Sequence, residues 1–191
     1  MTDVNATYFE SLEFRPQDDP VFRMTQLLLV MADIAGDGET ADRLVYIDFL
    51  ASHPFLVIES GTAEYQRLLM LGFEPRSLEY LSPSHLFATR RELIGHDLSL
   101  VVSYGLVATR TVSNQRRYAC TEVGRSMCDG MTSMYALAIR ESAQLVVKVV
   151  RKLSDRALMD TSRTWLSAER TGPVFLVPDE PDRDIEGSVR S

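Results

Sequence analysis

Arginines, not catalytic groups, are the residues here whose type and spacing could do chemistry. Between positions 84 and 125 six arginines (Arg90, Arg91, Arg110, Arg116, Arg117 and Arg125) stand against three acids, Glu92, Asp97 and Glu122. Arg110 and the Arg116-Arg117 pair bracket a short turn-forming stretch, Ser113-Asn114-Gln115. Guanidinium groups placed so can meet a phosphate backbone or an acidic protein surface. The pattern alone leaves open a solvated basic face, protein docking, or sequence-indifferent DNA contact. Nucleophile and metal chemistry have much less support. His53, His85 and His96 lie in three different elements, with no second His or carboxylate at metal spacing. G-x-S-x-G, H-E-x-x-H and phosphate-binding glycine loops are all missing from the sequence. Cys120 and Cys128 are eight positions apart without a further ligand pair, the pattern of buried small hydrophobes in a reducing compartment. No enzyme, cofactor or metal is expected.

The elements that must position those arginines follow from periodicity. Ser84 to Arg125 reads as helix, turn, helix, two-stranded ribbon and the start of another helix, with the second helix over Asp97–Tyr104. Gly105 offers a cheap left-handed stop. Leu106–Val112 and Arg116–Cys120 are the expected strands, and Thr121 with Glu122 suits a helix start. This is the order of a winged helix, a module that holds nucleic acid or protein. Its second helix, DLSLVVSY, has no Arg, Lys, Asn or Gln to bond base edges, so sequence-specific readout is not expected.

Upstream, helices are expected over Phe22–Ile34, from Thr40 to the Pro54 stop, and over Thr62–Gly72, with a short β-like run at Phe55–Ile58. Asp48 sits on an otherwise apolar helix and needs a buried cation, either Arg43 or an arginine across the core. Downstream, Thr121–Leu153 reads as one long helix or two broken at Gly130, followed by a helix over Asp155–Ala168 that holds Trp165. Leu137, Leu145, Val146, Val149, Val150 and Leu153 give this stretch an apolar surface wider than one core contact needs. It is expected to receive a partner helix or to close the core. The fold class is therefore mainly α: a winged helix-turn-helix core with a two-stranded β-wing and a long C-terminal helical extension. The domains are an arm over 1–20, a winged-helix domain over 21–125, the extension over 126–169 and an acidic tail over 170–191.

The bulk numbers agree with a soluble, cytoplasmic protein. The chain has 191 residues, a net charge of −7 and 45% hydrophobic content. Its N-terminus shows no basic segment followed by an apolar run, and its longest apolar runs are far short of a membrane span.

The string RLVYIDFLASHPFL, followed by TRRELIGHDLSLVVSYGLV and YACTEVGR, resembles the small middle-component subunits of ABC-three-component systems, including those of Lamassu-type anti-phage defence. The similarity spans about residues 25–155. Tyr46, Asp48, Phe49 and Leu50 carry it, together with Arg90 to Gly95, Gly105-Leu106-Val107 and Tyr118 to Gly124. It implies a non-enzymatic adaptor that joins an SMC-like or Rad50-like ABC ATPase to an effector, often a nuclease, and supplies no catalytic residues. On this reading Arg90, Arg91, Arg110, Arg116 and Arg117 contact DNA or partner, and the 137–153 apolar residues hold a partner helix. The rival is a dimeric winged-helix transcriptional regulator with a sequence-specific footprint. A second rival is a structural protein that does not touch nucleic acid.

Overall fold

A computed structural model describes residues 16–78 and 82–167. Within them the chain forms seven α-helices and one two-stranded antiparallel sheet. They are α1 (Pro20–Ala32), α2 (Ala41–Ser52), α3 (Ala63–Met70), α4 (Pro83–Ser103), β1 (Val107–Val112), β2 (Gln115–Cys120), α5 (Glu122–Asp129), α6 (Met134–Val150) and α7 (Asp155–Leu166). Each α-helix starts at an Asp, Ser or Thr whose side chain accepts a backbone N–H of the first turn: Asp19, Thr40, Thr62, Ser82, Thr121, Ser133 and Ser154. These caps satisfy donors that the helix itself cannot, which fixes the starts locally.

Helix α1 is the centre of the fold. Leu27 to Met31 are five consecutive residues at 1% exposure or less, so the helix is covered on all sides. It packs against α2, α4, α5, α6 and β2. Helix α6 lies across α1 and α2, and α4 also crosses both. Gly130 does separate two helices, α5 and α6, so the stretch after the hairpin is not one rod.

Three expectations for local structure change. The helix-turn-helix expected over residues 84–104 is a single helix of 21 residues, α4. Phe87, Ile94, Leu98 and Val101 form one continuous buried stripe along it, and no proline or left-handed residue interrupts it. The β-like run at Phe55–Ile58 is a 3-10 turn, Pro54–Leu56, in which Pro54 takes the first position. Part of the expected arm also belongs to the body. Pro16–Asp18 form a 3-10 turn and Pro20 opens α1. The rest of the arm, residues 1–15, lies outside the described residues, as does the tail over 170–191.

Candidate nucleic-acid and partner interface

The hairpin is built by a two-residue turn. Ser113 and Asn114 both have positive φ (50° and 62°), the backbone of a tight turn whose twist matches the flanking strands. The register opposes Val112 to Gln115, Thr111 to Arg116 and Arg110 to Arg117. Directly opposite residues share a face, so Arg110 and Arg117 stand side by side while Arg116 projects from the other face. Like charges so paired repel, and the loop at Gly36-Asp37-Gly38 partly offsets this. Arg117 Nη1 donates to Gly38 O (3.2 Å), and Asp37 stands 4.0 Å from Arg110. Glu39 extends the sheet by one residue, exchanging both backbone hydrogen bonds with Tyr118 (3.1 and 2.8 Å). The loop can come this close only because residue 38 is glycine. A Cβ there would meet Tyr118 O at 2.1 Å, and its φ is +80°.

The hairpin arginines differ in availability. Arg116 is exposed and makes no ion pair among the described residues, and Arg110 is 58% exposed. Arg117 is half-buried, and its Nε has no hydrogen-bond partner among the described residues. Arg91 is exposed on α4.

Arg90 is elsewhere. Its side chain is 11% exposed and bridges two fully buried carboxylates, Asp48 of α2 and Asp97 of α4. Asp97 is also gripped by Arg23 of α1, through Nε (3.2 Å) and Nη2 (3.3 Å). Asp48 accepts from Gln26 Nε2 at 3.1 Å, and Gln26 Oε1 accepts from Tyr135 of α6 at 2.7 Å. Two arginines and two aspartates thus form a neutral chain through α1, α2 and α4. Burial disfavours the Arg90 charge, but Asp48 and Asp97 outweigh it and hold the guanidinium above its ordinary range. Arg90 therefore leaves the candidate surface, because its charge is spent inside the core. Asp48 finds its cation across the core, as one of the two sequence options allowed.

Arg43, the other option, does different work. It donates to Val150 O (2.7 Å) and Leu153 O (3.1 Å) at the end of α6, and pairs with Asp155 (2.8 Å) and Glu39 (3.3 Å). Arg151 joins Glu39 at 2.9 Å. The α6–α7 joint is thereby fastened to α2 and to the sheet edge, with cations at a helix C-terminus where the dipole favours them.

The expected partner face on α6 is corrected. Val146 and Val150 are fully buried and Leu145 is 9% exposed. Val149 and Leu153 are half-buried. The width of the stripe is used inside the chain, because α6 packs on both α1 and α2 at once. Only Leu137 of that set stays open, at 47%, near exposed Met134 and Tyr135.

Sequence reasoning missed Arg23 and Asp97 as partners. Both carried a signal: Arg23 shares a helical face with Leu27 and Val30, and Asp97 sits among Ile94, Leu98 and Val101. A charge on an apolar face needs an opposite charge from another element.

The remaining chemistry-bearing groups do not converge. Cys120 and Cys128 are free and buried, and burial pushes the Cys128 thiol up to about 12, leaving no thiolate at neutral pH. Among the described residues no group of three His, Cys, Asp or Glu side chains could hold a metal ion. Likewise no helix among them is long and apolar enough to cross a membrane. A groove of about 260 Å³ between α1 and α6 is lined by Val30, Asp33, Gln144 and Lys148. Asp33 is already committed there. Hydrogen bonds from Arg140 hold its carboxyl below the usual range, and Gln144 adds another.

No curated protein and no solved structure matches this chain. The family model described as ABC-three component (ABC-3C) system Middle Component 2 matches residues 70–168. That span runs from the end of α3 through α4, the hairpin, α5, α6 and α7. With just over half of its length in the match, the chain belongs to the Middle Component 2 family of ABC-three-component systems and is one component among the several of such a system.

Proposed function

We propose that this protein is a non-enzymatic adaptor in an anti-phage defence complex of the Lamassu kind. It joins an SMC-like, Rad50-like ABC ATPase to a nuclease-like effector. The match to a middle component over residues 70–168 carries this reading. In support, the antiparallel hairpin directly follows the long helix α4, and Glu39 bridges to its β2 edge. Over the last two turns of α4, residues 97–103, the exposed residues are Ser99 and Ser103, followed by Tyr104. Hydroxyls alone discriminate bases poorly, so the hairpin arginines offer backbone contact without sequence.

Co-expression with the ATPase and effector of the same system tests the assignment. The chain is expected to co-purify with both, and a stable monomer that ignores the ATPase refutes it. Duplex binding tests the hairpin. Two or three phosphate contacts give a slope of log affinity on log salt of roughly −2 to −3. Arg110→Gln with Arg116→Gln should flatten that slope by about 2 and leave the fold intact. A sequence-specific footprint from a homodimer would favour a transcriptional regulator instead.

A further inference from the structure

The two edges of the hairpin differ. Tyr118 of β2 exchanges both backbone hydrogen bonds with Glu39, so its N–H and C=O point away from β1. Residues directly opposite in an antiparallel pair turn their backbone groups both inward or both outward. Thr109 lies opposite Tyr118, so its N–H and C=O point out from the other edge. Two positions on, those of Thr111 do the same. Neither residue has a backbone partner on that side among the described residues, and Thr109, Arg110 and Thr111 are all exposed. Folded proteins ordinarily blunt such an edge with proline, lysines, a bulge or a covering segment. Here the register runs unbroken over the six residues of β1, VATRTV, with Arg110 as the one charge and no proline.

We propose that another component of the system adds an extended, acid-bearing segment to the free edge of β1 as a further strand. Main-chain hydrogen bonds to Thr109 and Thr111 hold it, the mode by which open sheet edges take peptides. Charge selects the occupant. A residue facing Arg110 from the added strand stands on the face that Arg110 shares with Arg117. The one carboxylate near that pair among the described residues is Asp37, 4.0 Å from Arg110. An acid in the added strand therefore completes the row with opposite charge. A second copy of this chain fits badly in each symmetric antiparallel register. Pairing Thr109 with Thr111 of the copy sets Arg110 against Arg110, with an Arg117 behind each. Centring on Thr109 brings Thr111 onto Val107, which is buried at the base of the hairpin. Centring on Thr111 brings Thr109 onto Ser113, whose φ of 50° takes it out of the strand. That the segment belongs to a component of the same system rests on the adaptor reading, whereas the open edge does not.

The test reads backbone amide exchange, residue by residue, in the full chain alone and co-purified with the ATPase and effector of its system. Thr109 and Thr111 should exchange fast in the chain alone and roughly tenfold slower or more in the complex. Arg110, whose N–H already faces Arg117, should change little. Thr111→Pro removes an outward N–H without touching the β1–β2 ladder, so the thermal melt should hold while the complex weakens roughly tenfold. Thr111→Ala keeps that N–H and should bind within about twofold of the parent. Arg110→Glu should also weaken the complex roughly tenfold, and Arg110→Lys far less. Unchanged Thr109 and Thr111 amides in a complex that does form overturn the strand addition and leave the adaptor reading standing. Slow amides in the chain alone overturn it too, because the edge is then already taken by this chain or a second copy. Protection that nuclease treatment removes assigns the edge to nucleic acid and overturns the proposal. Protected amides with Arg110→Glu binding like the parent refute the acidic occupant. Failure to form any complex overturns the proposal together with the adaptor reading.

Discussion

Replacing Arg90 with methionine removes the cation shared by two carboxylates that have no exposure to solvent. The set Arg23, Arg90, Asp48 and Asp97 is neutral, and the substitution leaves it at −1. Asp97 keeps Arg23 at 3.2 Å, but Asp48 retains only the Gln26 amide at 3.1 Å. Removing one partner of a buried pair costs about 3–5 kcal/mol, because the survivor cannot recover its hydration. Domain stabilities are about 5–15 kcal/mol, so this is a large fraction of the total. For a chain of this size each kcal/mol is about 2–4 °C, which puts the fall in Tm at roughly 6–20 °C. Urea unfolding at pH 7.5, followed by far-UV circular dichroism and by Trp165 fluorescence, measures it. The second arm separates charge from lost packing. Asp48→Asn added to Arg90→Met removes the stranded carboxylate and should restore about 1–3 kcal/mol, so the double variant is more stable than the single one. A single variant within about 1 kcal/mol of the parent would refute the reasoning. So would a double variant less stable than Arg90→Met.

Other perturbations read other parts of the fold. Burial holds His53 below its ordinary value, against a hydrogen bond to Phe49 O at 3.0 Å that pulls the other way. Between its folded value and about 6.5 it binds fewer protons folded than unfolded, so stability should fall as pH drops from 7 through that interval. His53→Gln should flatten that part of the stability–pH profile from urea melts. Gly38→Ala places a methyl 2.1 Å from Tyr118 O and should cost more than about 2 kcal/mol. Gly36→Ala, at φ +81° with open space around it, should cost only about 1 kcal/mol, the left-handed backbone term alone. Equal losses in thermal melts would refute the close-approach argument. Gly95 lies inside α4 with nothing within 4 Å of an added Cβ, so Gly95→Ala should stabilise by about 0.5–1 kcal/mol. A destabilised Gly95→Ala would show that α4 is not continuous there.

The signals that were legible act over a few residues. Thr40, Thr62 and Thr121 mark helix starts because a hydroxyl reaches a free N–H two or three positions on. Ser113-Asn114 marks the hairpin because few other residues accept a left-handed backbone there. Gly130 parts α5 from α6 as the C-cap of α5, with a right-handed backbone. The arginines around the turn were visible for the same reason, since strand register follows directly from the turn. The continuity of α4 was less legible, because DLSLVVSY is a good helix by itself and nothing in it says that the turns before it belong to the same rod.

The sequence by itself determined most helix starts, the hairpin and the need of Asp48 for a cation, since each depends on neighbours along the chain or on the cost of a lone buried charge. Only the tertiary structure decided which arginine answers Asp48 and which face of α6 stays open. Val146 and Val150 look like a partner surface until α1 and α2 are laid against them, and Arg90 looks like a surface cation until Asp48 and Asp97 close on it. Periodicity reports which side of a helix is apolar, but burial depends on how many neighbours pack against it. Those neighbours come from positions dozens of residues away.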